Sequence, residues 1–154
     1  MKSYCAKKPI SRPEGVLLLR LVFSLAVAAW FGSVFFFSFV VAPAAHRNFP
    51  GEARRFLRPI FTRYYRLGVL CGFVALGAVL LGREGLSEGE LARLALPVAL
   101  ALVASLYGGE VLRPRLRDKN ADDPDYARLH QFSAMLNSAT LAALGLALAG
   151  AIFR

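Results

Sequence analysis

Residues 16–41 read VLLLRLVFSLAVAAWFGSVFFFSFVV, 26 positions whose single charge is Arg20. At about 1.5 Å of rise per residue, a helix of this length outruns the roughly 30 Å hydrocarbon core of a bilayer, and tilting takes up the excess. Arg20 lies one turn inside the run, where its aliphatic stem can lift the guanidinium back to the headgroups. The run is much longer than the apolar centre of a cleaved signal peptide, and nothing after Pro43 reads as a soluble mature domain, so a retained membrane helix is expected.

Three further runs lack charge: 67–82, 94–109 and 131–153. Arg66 and Arg83 bracket the first of them and can snorkel outward. Pro97 stands near the start of the second, where a missing amide donor costs least, and Glu110 ends it. Two sets of small residues, Gly68 with Gly72 and Ser138 with Ala142, Gly145 and Ala149, have the spacing that lets another helix backbone come close in lipid. They also suit assembly into a homo-oligomer.

Composition agrees with this reading. Of the 154 residues, 56% are apolar and 19% are charged, and the charges gather between the runs instead of being scattered. The net charge of +9 could point to nucleic acid. However, the basic residues flank apolar spans and no recognition module is present, so the partner is the lipid bilayer and nucleic acid is not expected. Fifteen of the 19 basic residues are arginine, which with abundant Ala, Leu and Gly suits a GC-rich bacterial genome. Cys5 and Cys71 lie too far apart in context to suggest a disulfide framework. The predicted fold is therefore all-α: a single transmembrane domain over 1–154, forming an integral membrane four-helix bundle, multi-pass in a bacterial inner membrane.

Between the first two spans, residues 51–66 interleave Phe56, Phe61, Tyr64 and Tyr65 with Arg54, Arg55, Arg58, Arg63 and Arg66. This pattern predicts an amphipathic helix lying in the interface, kinked at Pro59. Asp122, Asp123 and Asp125 around Pro124 predict a turn or helix cap. Eight Lys and Arg fall on the side of the termini and eleven on the side of the first and third connectors, so the positive-inside rule places both termini outside.

Four spans put His46, Glu110 and His130 at one membrane face. His130, Ser133 and Asn137 follow at i, i+3 and i+7, a polar stripe on one side of the fourth helix, and a lipid-facing Asn is costly, so Asn137 should point inward. With Arg47, Tyr64 and Tyr65 nearby, these residues define a candidate polar pocket whose imidazoles and carboxylate could bind a metal ion or relay protons. The alternative is interfacial residues that cap helices, pair Glu110 with Arg113 and hydrogen-bond across helices, in a structural or partner-binding protein without a ligand site. Haem would need two inward-facing histidines, whereas both lie at helix ends, so no cofactor is expected. The motifs of nucleophile elbows, phosphate loops, zinc proteases and redox Cys pairs are missing, and the chain is expected not to be an enzyme.

The strings GSVFFFSFVVAPAAHRNFP, FLRPIFTRYY, PRLRD and LHQFSAMLN resemble the transmembrane protein 205-like family of bacterial and eukaryotic membrane proteins, over about 19–153. The resemblance implies a four-helix membrane bundle with no settled biochemical activity. Asn137 and His130 fit its pattern better than His46 does. Small-solute or metal handling is the functional expectation, with the ligand unidentified.

Overall fold

The computed structural model describes residues 13–117, 119 and 123–152. Cys5, the basic residues of the amino-terminal tail, Asp118 of the PRLRD string, Asp122, Phe153 and Arg154 lie outside them. Among the described residues six α-helices follow in order: α1 (Pro13–Phe36), α2 (Ala42–Asn48), α3 (Ala53–Leu81), α4 (Glu88–Tyr107), α5 (Arg113–Arg117) and α6 (Pro124–Ile152). π-helical turns at Phe37–Val41 and Gly108–Leu112 splice α1 to α2 and α4 to α5. The result is four helices long and apolar enough to cross a membrane, Glu14–Asn48, Ala53–Leu81, Glu88–Leu116 and Pro124–Ile152, hereafter spans one to four.

Each span packs on its sequence neighbour and α6 closes the ring against α1, the up-and-down order that short connections favour. The interior is filled: Val27, Trp30, Val34, Val98 and Leu144 are almost wholly buried. Such packing is what holds a bundle together in lipid, where greasy surfaces gain nothing by leaving water.

Gly68 and Gly72 do admit a close neighbour, but it is a side chain. A Cβ on Gly68 would stand 2.6 Å from Trp30 Nε1, and one on Gly72 would stand 3.0 Å from the same indole and 2.9 Å from Leu102. The space left by two missing side chains holds a ring where a backbone was expected.

The helices overrun their apolar stretches, and residues 51–66 are not a separate interfacial helix. From Ala53 onward they are the opening turns of α3, which runs unbroken through the apolar stretch of span two. Ala53 and Leu57 are buried in a small cluster with Phe37 and Ala45, which fastens this segment to the end of span one. Pro59 removes one donor, and the carbonyl it leaves at Arg55 lies on the exposed side. The link from span one is residues 49–52 only, and Gly51 adopts φ 86°, the left-handed conformation that favours glycine.

The other helix starts follow sequence chemistry. Ser87 and Glu90 form a reciprocal capping box at α4. Asp123 caps α6 as expected, accepting a bond from the Asp125 amide at 2.9 Å, with Pro124 at the first helical position. Lys119 bridges Asp123 and Asp125 at 3.1 and 2.9 Å. The Asp125 amide, and then Lys119, hold the Asp123 carboxyl below its usual range. A depressed carboxylate stabilises above its unfolded value of about 3.9 and loses that contribution as pH falls through the folded value. Protection of the Asp125 amide, measured by hydrogen exchange relative to its intrinsic rate, should therefore persist at neutral pH and collapse below that window.

Candidate functional site

The arginine-rich end of the bundle carries an aromatic and polar corner. Phe37, in the first π-turn, lies 4.9 Å from the Tyr64 ring and 4.8 Å from Phe61, centroid to centroid. Tyr64 and Tyr65 meet edge to face at 4.9 Å. A Cβ on Gly108, in the second π-turn, would stand 2.9 Å from the Tyr65 ring, and one on Gly109 would stand 3.2 Å from Tyr65 Cβ. The two tyrosines are thus held between two π-turns, elements that insert one extra residue and often mark functional positions.

Adjacent on one helix, the tyrosines serve different neighbours. The Tyr64 hydroxyl donates to Asn137 Oδ1 at 3.2 Å, bridging spans two and four. The Tyr65 phenol lies beside Ser133 and Arg113. Asn137 and Ser133 of the polar stripe therefore do face inward, and the cross-helix bond meets the need of a polar group at the edge of hydrocarbon. Tyr64→Phe should cost about 0.6 kcal/mol, the mean for such bonds between membrane helices. A double-mutant cycle with Asn137→Ala in detergent would isolate that coupling energy.

The remaining candidates are dispersed. His46 and Arg47 are exposed in the last turn of α2. His130 is exposed and stacks on Tyr126 at 6.0 Å, with the Arg54 guanidinium 4.7 Å above the same ring. Arg54 also donates to the Leu116 and Lys119 carbonyls, tying the third connector to the start of span two. Glu110 is exposed on span three, and among the described residues no ion pair joins it to Arg113. Nor do any three His, Cys, Asp or Glu side chains gather as metal ligands among those residues.

Glu110 instead lines an open cleft of about 590 Å³ between spans two and three, on the outer side of Tyr65. Thr62, Tyr65, Ser105 and Gly109 form its inner wall, Arg66 and Arg113 stand with Glu110 among its lining groups, and Val69, Leu70, Phe73 and Leu106 carry it toward the bilayer. In the sequence Arg66 reads as a span boundary and as part of the arginine-rich segment 51–66, and Arg113 as an ion-pair partner of Glu110. A charge bounding each of two neighbouring apolar runs at the same face, Arg66 and Glu110, is the signal that marks the cleft, and Arg113 follows one turn beyond Glu110.

A second polar oddity lies in the first π-turn, where the buried Ser38 hydroxyl has no hydrogen-bond partner among the described residues. At the opposite end, the Arg93 stem lies over Gly150, where a Cβ would be 3.1 Å from it.

No curated protein and no solved structure matches the chain. A family model described as a domain of unknown function, DUF4149, matches residues 25–123, which include both π-turns, both tyrosines and every residue of the cleft. That match extends over more than half of the chain, and the protein belongs to the DUF4149 family of domains of unknown function.

Proposed function

We propose that this protein is a non-catalytic ligand-binding bundle of the bacterial inner membrane, which takes a small amphiphilic solute into the cleft between spans two and three. The observation that carries the reading is the cleft itself: polar groups at one end of it and, beyond them along the helices, an apolar wall whose Leu70, Phe73 and Leu106 are exposed. Passage through the bundle has no such support, because its centre is packed with Val27, Trp30, Val98 and Leu144. Metal handling by His46, Glu110 and His130 has less support, since His130 stacks on Tyr126, Glu110 lines the cleft and no three such ligands gather among the described residues. Membership of the transmembrane protein 205-like family is part of the same proposal and rests on the quoted strings.

The test is labelling of the detergent-solubilised chain with a photoreactive alkyl amphiphile, followed by peptide mapping. Adducts should concentrate in residues 62–73 and 105–114. Even labelling over all exposed apolar positions, including Phe35 and Phe39, would sink the reading.

The partner-binding alternative draws on one observation. Only 17% of the apolar window of span four is buried, against 44% for span two, and Ser138 and Ala142 are exposed. Under that reading, Ala142→Cys in a Cys71→Ser, Cys5→Ser background should give a disulfide-linked dimer on oxidation in membranes, and a monomer at every oxidant level would end it.

A further inference from the structure

The apolar runs of spans two and three are short. Arg66 and Arg83 are 17 residues apart, as are Arg93 and Glu110, so charge bounds the apolar run of each of these spans at about 25 Å, below the roughly 30 Å of hydrocarbon. Spans one and four carry longer uncharged runs. Beside the short pair the bilayer can thin, the bounding side chains can snorkel outward, or a polar headgroup can descend to meet them. The cleft lies between these two spans.

Three charges line the cleft, Arg66, Glu110 and Arg113, and among the described residues no ion pair forms between any of them. Two cations and one anion around a single opening suit a headgroup with both signs of charge. A phosphate answers the guanidiniums, whose fork matches its oxygens, and an ammonium answers the carboxylate. Leu70 and Phe73, 61% and 59% exposed, continue the cleft as a strip fit for an acyl chain.

We propose that the cleft holds one phospholipid bearing a primary ammonium headgroup, with its phosphate against Arg66 and Arg113, its ammonium against Glu110, and one chain along Val69, Leu70, Phe73 and Leu106. This rests on the reading of the cleft as a binding site and names its occupant. An anionic headgroup without an amine would leave Glu110 facing like charge. A quaternary ammonium offers the carboxylate no N–H donor.

Native mass spectrometry of the full chain in detergent, with phosphatidylethanolamine, phosphatidylglycerol and phosphatidylcholine of equal chain length, tests it. Phosphatidylethanolamine should be retained about fivefold over the other two, the order of one charge pair at an exposed site. Glu110→Gln should erase that preference, bringing retention of phosphatidylethanolamine down to that of phosphatidylcholine. Arg66→Gln with Arg113→Gln should lower retention of all three by about tenfold or more. Equal retention of the three lipids, preference for phosphatidylglycerol, or a preference indifferent to Glu110→Gln would overturn the assignment.

If the alkyl probe still maps to the cleft in those cases, only the headgroup identity fails; scattered probe labelling removes the binding reading as well. Glu110 and Arg66 are exposed, so their neutral variants are expected to fold as the wild type does. Should the double arginine variant not fold, deuterium uptake of residues 105–114 in wild type decides. It should fall in nanodiscs of phosphatidylethanolamine relative to phosphatidylcholine, and no difference would overturn the proposal.

Discussion

Trp30→Ala is expected to lower the thermal midpoint of the detergent-solubilised protein by on the order of 10 °C, from a loss of about 3–5 kcal/mol. The indole is 1% exposed and fills the space over Gly68 and Gly72, with Leu102 of span three closing the far side. Removing it leaves a void bounded by two glycines, which have no side chains to collapse inward. In lipid the lost contacts are not offset by any cheaper burial elsewhere. Gly68→Leu should be destabilising in the wild type, because its Cβ meets Trp30 Nε1 at 2.6 Å. In the Trp30→Ala background it should restore part of the loss. Thermal melts of the four proteins give the cycle, and additive effects would mean that the indole and Gly68 do not share one space.

The second large effect belongs to Gly108. Gly108→Val forces a branched side chain into Tyr65, whose ring already lies 2.9 Å from the Cβ position. Tyr65 is 9% exposed and stacks at 6.3 Å on Phe61 as well as meeting Tyr64, so it has little room to retreat. Overpacking of this kind costs about 1–3 kcal/mol, and here it should also displace the inner wall of the cleft. The variant should melt lower and lose probe labelling in residues 105–114. Gly32→Ala and Gly77→Ala are the controls, because a Cβ at either meets nothing within 4 Å. Both should melt at or slightly above the wild-type temperature, since Ala favours the helix.

Hydropathy located four spans because a continuous apolar run long enough to cross hydrocarbon has few other uses. Asn137 was legible as an inward residue for the same reason, since its amide is costly against lipid and Tyr64 meets it. Helix ends were harder: α3 begins at Ala53 amid arginines because Leu57 and Ala53 bury against Phe37 and Ala45, a tertiary contact invisible in local pattern. The π-turns leave no residue signature, and one of them, Gly108–Leu112, carries Glu110, which lines the cleft. His130 shares the stripe of Ser133 and Asn137, yet it sits far enough toward the helix start to stack on Tyr126. Trp30 gave no sign in sequence that it would occupy the two-glycine gap.

That lock of indole on glycine lies wholly within the amino-terminal half, and the link between its two helices is only residues 49–52. A ribosome that has released the chain through Gly82 has already delivered both partners of the lock to the translocon. The first two spans can therefore enter the bilayer as a preassembled hairpin, a template on which the later pair docks as each emerges.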